Sequence, residues 1–356
     1  MKLRRIAVVG CGEAGYEMHL PALALMEGVE VVGACDTDPG RRERAASKFS
    51  VPVFADYAEM LVTAKPEVVI VATPPDSHTA ICLAAIDAGC HLICEKPFVP
   101  DVGEGLEIME AANRAGKRIA LNHEFREMPI FRALLDATRR HPEEPVFFAS
   151  LWQNTDVPPW TEGGWRGAML RRTLHEAGIH LIDYILALFG ETPRFAWASM
   201  SAGGLNDSGS DALVVVSLEF EGGRIAQLVQ NRLCKGETHY FEVRADTVSA
   251  SYRASFGGRA RVTTGLYRST VPHLRVDYGV SGLAWTERGN KRTTLARNPP
   301  NPRVVSTRLV LERSLDAFET GGRPPATAED ALDALRVIDA CYASASTGVR
   351  TAVANR

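Results

Sequence analysis

The sequence of 356 residues holds no apolar run near the 18 or so residues that a membrane-spanning helix requires. Its first ten residues, Met1–Gly10, are basic and then apolar, but the apolar part is too short for a secretory leader and runs straight into a glycine loop. Neither sign of charge prevails. The 40 basic and 43 acidic side chains leave a formal net charge of −3, which gives no overall attraction to nucleic acid or to an anionic membrane. Cysteine is sparse and odd in number: seven residues, most inside apolar runs, with Cys90 and Cys94 outside any CxxC pair. They read as reduced thiols of a cytoplasmic protein. A GxxxxGK[ST] phosphate loop and a GxSxG nucleophile elbow are both missing, which removes the P-loop NTPase and the serine-hydrolase readings. What is present is ordinary for a globular chain, 46% hydrophobic and 23% charged, and the length suggests two domains.

The first third alternates short apolar strands with helical stretches. Strands are read at Ile6–Val9, Val29–Cys35, Val68–Val71, His91–Cys94 and Ile119–Leu121. Helices are read at Ala14–Leu25 (broken late by Pro21), Pro39–Phe49, Ser77–Ala88 and Val102–Ala115. Near-continuous apolar strands between helices imply a parallel sheet covered on both faces, a doubly wound Rossmann domain assigned to residues 1–122. From about Val146 the period becomes two, with strands expected at Ala212–Phe220, Arg224–Arg232, Tyr240–Arg244 and Thr247–Arg253 and a hairpin at Glu221-Gly222-Gly223. A helix at Glu176–Leu188 precedes them, and helices near Val304–Phe318 and Ala328–Ser344 follow. Residues 123–356 therefore form an α+β domain with a large, mostly antiparallel open sheet, with the last helix a candidate to pack back on the first domain. The basic, proline-rich stretch Arg288–Arg303 reads as a solvated loop, or else as an oligomer or anionic-substrate contact.

Gly10-Cys11-Gly12-Glu13-Ala14-Gly15 fits GxGxxG, follows a strand and opens a helix, the context that makes this motif informative. Gly10 permits the tight turn, Gly12 lets the backbone approach a pyrophosphate, and Gly15 lets helix and strand pack closely. Free N–H groups and the dipole at the helix start favour the anion. Asp36, at the end of the second strand, is spaced to accept hydrogen bonds from a ribose 2′-OH and to repel a 2′-phosphate. NAD is the expected cofactor. NADP is the alternative, since Arg41 and Arg42 follow within reach of a phosphate.

Two further segments fall where a strand end would face the dinucleotide: Ala72-Thr73-Pro74-Pro75-Asp76-Ser77-His78 and Cys94-Glu95-Lys96-Pro97. Together with the glycine loop, with Asn122-His123-Glu124-Phe125-Arg126, with Trp165-Arg166 and with Glu176-Ala177-Gly178-Ile179-His180, they resemble the Gfo/Idh/MocA family, named for glucose–fructose oxidoreductase and inositol 2-dehydrogenase. The resemblance covers nearly the whole chain. It implies that Lys96 is the active-site lysine, contacting substrate and cofactor, with a cis Lys96–Pro97 peptide as in many relatives. It implies that His180 matches the family's catalytic histidine and that Glu176 stands where Asp is usual. Cys11, Glu13, Ala14, Thr73, Pro74, His78, Glu95 and Asn122 join the glycines and Asp36 as cofactor-binding residues, and Arg126, Trp165 and Arg166 join Lys96, Glu176 and His180 as substrate-binding residues. His78 and His123 are read as pocket or structural groups rather than proton carriers. Arg171-Arg172-Thr173 replaces glycines usual in the family, so substrate identity does not carry over.

A charged lysine at a dry strand end stabilises a developing alkoxide, and a nearby histidine takes the hydroxyl proton. The expected reaction is hydride transfer between NAD and a secondary alcohol or ketone of a sugar, cyclitol or related polyol. Alternatives are a glycosidase or lyase that oxidises transiently with no net redox, and a non-catalytic dinucleotide sensor. His175, Glu176 and His180 do not make a zinc site, because the histidines are five apart where HExxH needs four, and no metal is expected. Trp152, Trp160 and Trp165 read either as stacking faces for a sugar ring or as core and oligomer residues. By resemblance the open sheet packs on a second subunit, giving a homodimer or homotetramer; nucleic acid and membrane are not expected partners.

Overall fold

A computed structural model describes residues 4–155, 166, 169, 171–202, 210–234, 240–257 and 282–354. The chain divides into two compact units, Met1–Glu127 with Arg303–Leu335, and Met128–Pro302 with Arg336–Arg356.

The first unit is built on a six-stranded parallel sheet. Its strands are β1 (Arg4–Val9), β2 (Val29–Cys35), β3 (Val53–Phe54), β4 (Val68–Val71), β5 (His91–Cys94) and β6 (Ile119–Leu121), in the order β3-β2-β1-β4-β5-β6. Ile6–Val9 and all of β4 are buried, as strands covered on both faces must be. The strand order reverses between β1 and β4, so the carboxyl ends of those strands open a crevice, the place where this topology binds ligands. Ile6, Val8, Ile70 and Ile93 from the sheet share a buried cluster with Leu20 and Leu23 and with Leu311 and Leu315 of the helix Pro302–Thr320.

The helix read at Ala14–Leu25 runs unbroken over residues 13–24, with a π-helical turn at Gly15–His19 leading into the α-helical turn Leu20–Ala24. Pro21 follows directly on the π-helical turn and does not break the helix, since the backbone at His19 and Leu20 stays helical. A π turn and an α turn share nearly the same apolar spacing, so the sequence pattern does not separate them.

Among the described residues the second unit carries a nine-stranded sheet: β7 (Phe148–Asn154), β8 (Phe195–Ser201), β9 (Leu213–Glu219), β10 (Ile225–Asn231), β11 (Tyr240–Asp246), β12 (Ser251–Gly257), β13 (Gly282–Arg288), β14 (Lys291–Arg297) and β15 (Thr351–Ala352). The order is β14-β13-β12-β11-β7-β10-β9-β8-β15, and only the β7–β10 pair is parallel. The helix Pro129–Arg139 buries Ile130, Phe131, Leu134 and Leu135 on one face. Phe131 there packs edge-on to Phe256 at 5.5 Å, while the Tyr184 hydroxyl donates to the Phe131 carbonyl at 2.7 Å.

Two expectations are corrected. Thr247–Arg253 is not one strand: Thr247 N–H donates to the Ala250 carbonyl at 2.9 Å, closing a turn, and the strand begins at Ser251. The stretch Arg288–Arg303 is not simply a loop. Lys291–Arg297 forms the edge strand β14, whose first four residues are exposed. Its polarity hid the strand, and its Lys291, Arg292 and Arg297 are the charges that keep an edge from pairing with other chains.

Candidate functional site

In the first unit the glycine loop leaves the carboxyl end of β1. Gly10 has φ +100°, and a Cβ there would lie 2.5 Å from the Ala72 carbonyl oxygen, so only glycine fits. A Cβ on Gly15 would meet the Gly10 carbonyl at 1.8 Å, which is how closely the following turn sits on the loop. At Gly12, by contrast, a Cβ would find only Arg41 Nη1, 3.8 Å away. The backbone there is open to a ligand, as a pyrophosphate cradle requires. Cys11 is buried in the loop, and burial pushes its thiol up to about 12, so it is not a nucleophile at neutral pH.

Asp36 is aimed at this loop. Its Oδ2 accepts from Cys11 N–H at 2.8 Å and its Oδ1 from Asp38 N–H at 2.9 Å. Arg42 Nη1 donates to the carbonyls of Asp36 at 2.7 Å and Thr37 at 3.0 Å, while Arg41 Nη1 stands 3.6 Å from the carboxylate. Both oxygens keep a lone pair for sugar hydroxyls.

The loop after β4 is pinned from below by His78, fully buried, whose Nε2 lies 2.8 Å from the Thr73 carbonyl and Nδ1 2.9 Å from that of Phe98. Burial pushes this imidazole's pKa down. Ser77 Oγ stands 2.8 Å from both Thr73 Oγ1 and the Pro74 carbonyl, which fixes the turn that opens the next helix.

Glu95 directly follows β5 and is almost fully buried. Its Oε1 accepts from Asn122 Nδ2 at 2.6 Å and from His19 Nε2 at 2.8 Å, and its Oε2 from Lys96 N–H at 3.2 Å. Burial alone would raise this carboxyl; the bonds from His19 and Asn122 and the charge of Lys96 outweigh it and hold the group well below the usual carboxylate range. The carboxylate thereby fixes the main chain at Lys96, where the Lys96–Pro97 peptide is cis. Asn122 Oδ1 is buried with no hydrogen-bond partner among the described residues, an acceptor open to a donor from a ligand.

His123 is fully buried and precedes the short 3-10 turn Glu124–Arg126. Arg126, expected on substrate, has Nη1 on the Pro325 carbonyl and on Asp330 Oδ2, both at 3.0 Å. Glu124 is 3% exposed. Burial, together with the negative Glu95, pushes its carboxyl up to about 7 against the pull of Arg303 and Lys96. The folded chain thus holds a proton on Glu124 that the unfolded chain has lost between about pH 4.5 and 7. Stability is therefore lost as pH rises through that window. Glu124→Gln is expected to be more stable than the parent at pH 8 by about 3 kcal/mol, with the gap closing near pH 4. Urea unfolding at the two pH values measures this, and an equal gap at both would contradict it.

In the second unit a π-helical turn, Thr173–Gly178, carries Glu176 into the helix Ile179–Phe189, which holds His180 in its first turn. The helical stretch therefore begins at Thr173, three residues ahead of the sequence reading, and its first turns are π-helical. Gly178 packs closely on the sheet: a Cβ there would lie 2.3 Å from Gln230 Oε1 on β10, so a larger residue would have to displace that side chain. The carboxylate of Asp211 anchors the turn. Its Oδ1 accepts from Arg172 N–H at 2.7 Å, and its Oδ2 from Leu174 N–H at 2.9 Å and from the Tyr342 hydroxyl at 3.1 Å. Arg171, one of the residues standing in for the usual glycines, turns away to Asp339 at 2.6 Å and lies over the Tyr342 ring. Glu176 Oε1 lies 3.3 Å from Arg166 Nε. His180 is 8% exposed. His175 is buried and burial, with Arg171, pushes it down to about 4, so it is neutral at physiological pH. Trp165 and Trp160 lie outside the described residues; Trp152 stands on the sheet, 47% exposed.

The structure thus gathers Gly10, Cys11, Gly12, Glu13, Ala14, Gly15 and Asp36 at one end of β1 and β2, and Glu95, Lys96 and Asn122 beside them at the ends of β5 and β6. Glu176 and Arg166 meet in the second unit. Sequence reasoning missed His19, Glu124 and Asp211. Among the described residues no three potential metal ligands cluster, no helix is long and apolar enough to cross a membrane, and Cys11, Cys35, Cys82, Cys90, Cys94 and Cys341 are free thiols.

Comparison with known proteins places this architecture. Residues 4–123 match the model of the GFO/IDH/MocA oxidoreductase family's NAD-binding Rossmann fold, and residues 144–251 match the GFO/IDH/MocA C-terminal domain. The chain is 24% identical over 354 residues to D-apiose dehydrogenase of Paraburkholderia graminis, covering 96% of this chain and 88% of that one. It is 27% identical over 356 residues to 1,5-anhydro-D-fructose reductase of Ensifer adhaerens, covering 97% of each. An oxidoreductase from Agrobacterium radiobacter, solved with NAD+, L-tartaric acid and magnesium, has the same fold, with a TM-score of 0.83 over 99% of both chains at 17% identity. The two matched models together span most of the chain, on the residues that form the glycine loop, the Glu95-Lys96-Pro97 strand end and strands β7–β11 of the second unit's sheet: the chain belongs to the Gfo/Idh/MocA oxidoreductase family.

Proposed function

We propose that the chain is an NAD-dependent dehydrogenase that moves a hydride between the cofactor and a secondary alcohol or ketone of a sugar, cyclitol or related polyol. The observation that carries this is one edge of the parallel sheet, where an open glycine loop, Asp36 and a carboxylate-anchored Lys96 lie together. Relatives named as a D-apiose dehydrogenase and a 1,5-anhydro-D-fructose reductase support the substrate class. Residues 1–122 are assigned to the dinucleotide and residues 123–356 to substrate and assembly.

NAD supplies the hydride acceptor when bound. Gly10–Gly15 and Asp36 hold its pyrophosphate and ribose, with Thr73, Pro74, His78 and Asn122 shaping the rest of its pocket. Lys96 stabilises negative charge on the reacting oxygen. His180 takes the hydroxyl proton, or returns it in ketone reduction. Glu176 orients the hydroxyl and is itself steadied by Arg166; Trp165 and Arg126 complete the substrate contacts. The test is NADH formation at 340 nm with a panel of cyclitols, aldoses, sugar acids and dihydrodiols. Activity on one class supports the reading; silence from a protein that binds NAD would turn it toward a closed redox cycle or a sensor.

Asp36 makes NAD the preferred cofactor over NADP. Wild type is expected to bind NADH at least tenfold more tightly than NADPH. Asp36→Ala is expected to weaken NADH by roughly 10- to 100-fold, the worth of hydrogen bonds to a charged group. Fluorescence titration decides, and tighter NADPH binding by wild type would sink the assignment.

The sheet of the second unit exposes Trp152 and Trp197, with Val229 beside Trp152 in register and Val215 next to Val229. A second copy of the chain is the proposed cover, giving a dimer or tetramer. A monomeric mass by light scattering would contradict this. Free thiols at Cys11, Cys35, Cys82, Cys90, Cys94 and Cys341 fit a reducing, cytoplasmic setting.

A further inference from the structure

Arg303 closes the basic stretch Arg288–Arg303 and lies in the first turn of the helix Pro302–Thr320. That helix is fixed by its apolar face: Leu311 and Leu315 share a buried cluster with Ile6, Val8 and Cys11, and Val304 and Phe318 pack at its margin. Cys11 belongs to the glycine loop itself, so the packing brings the helix start to the loop. The Arg303 guanidinium ends there. Its Nη1 lies 3.5 Å from Glu13 Oε1 and its Nη2 3.0 Å from Met18 Sδ. The side chains of Arg303 and Glu13 are 51% and 44% exposed, so a ligand at the loop can reach both.

The ion pair is a weak one. At this distance and exposure, solvent screening leaves little net attraction to hold the guanidinium. Glu13 is one of the two residues between Gly12 and Gly15, and its carboxylate brings an unfavourable charge to a loop built for an anion. Arg303 neutralises that charge and brings a cation to a glycine loop that contains no lysine of its own.

We propose that Arg303 is a pyrophosphate-binding residue of the dinucleotide site, reaching the glycine loop from the C-terminal part of the chain and exchanging Glu13 for phosphate oxygens. This rests on the proposed reading that the chain binds NAD. It gives one residue of the basic stretch a ligand: the anion is the cofactor's, not the substrate's.

The experiment is NADH titration of the full chain, followed by fluorescence, for wild type, Arg303→Gln and Arg303→Lys at low and high salt, roughly 20 and 300 mM KCl. At low salt R303Q is expected to raise the NADH Kd about tenfold, and R303K by less than about threefold. The Kd of R303Q is also expected to depend less on salt than that of wild type, because one phosphate contact is lost. Equal affinities for R303Q and wild type at both salt concentrations would overturn the proposal and leave NAD binding intact. A wild type that binds no NADH would overturn the cofactor reading and this proposal with it. Should R303Q melt early, R303K decides: a Kd near wild type supports the charge contact, and a loss as large as that of R303Q overturns it.

Discussion

Lys96→Ala is expected to lower turnover by about 10³-fold or more while leaving the NADH Kd within about threefold of wild type. The reason lies in how the residue is held. Glu95, buried at the end of β5, spends one carboxylate oxygen on His19 and Asn122 and the other on the Lys96 N–H. Those bonds fix the backbone, so the side chain leaves the sheet edge from a rigid base, and little reorganisation is needed when charge develops on the reacting oxygen. Under the proposed reading the glycine loop and Asp36 hold the cofactor's phosphates and ribose, so binding is expected to survive the loss. Lys96→Met keeps most of the stem volume and removes only the charge; it is expected to be as inactive as the alanine variant. Full turnover in either variant would remove Lys96 from the chemistry. A parallel rise in the NADH Kd would mean that the lysine serves cofactor binding instead.

His180→Asn is expected to cost about 10²- to 10⁴-fold in kcat, the range for a lost general acid–base. His180 sits in the first turn of a buried helix whose approach is set by Gly178 against Gln230 and by the Asp211 carboxylate on the preceding turn. Its ring is therefore placed by packing rather than by a loop. For alcohol oxidation the parent's kcat/KM rises with pH as the base loses its proton, and that limb is expected to vanish in H180N, with KM changing far less than kcat. The neighbouring His175 offers no substitute, because burial keeps it neutral and pushed down to about 4. Retention of the pH limb in H180N would assign the proton to another group.

Much of this was readable in the linear sequence, and for a physical reason in each case. The parallel strands are continuous apolar runs because both faces are covered, and the glycine loop is a local spacing that needs no tertiary knowledge. The hairpin at Glu221-Gly222-Gly223 was legible because Gly222 and Gly223 both take positive φ, which few other residues tolerate. The edge strand β14 was not, since its exposed residues are polar for the sake of solubility rather than alternating for a core. The same limit applies to the site. His19 meets Glu95 across 76 residues and Arg303 meets Glu13 across 290, so only folding brings them to the loop. Asp211 lies just ahead of a strand, and nothing in its local pattern marks it as the anchor of a turn 37 residues away. Glu124 looks like any surface carboxylate in sequence, and it is the burial of its 3-10 turn that changes its chemistry.

The most direct test of hydride transfer at this site uses NADH carrying deuterium at nicotinamide C4, offered with keto-sugars and inososes to wild type and to Lys96→Met. Mass spectrometry of the alcohol product then follows the label. One deuterium on the carbinol carbon, formed by wild type and not by the variant, is the expected result. Bound NADH that never passes its label to any of these ketones would contradict the assignment of a net dehydrogenase.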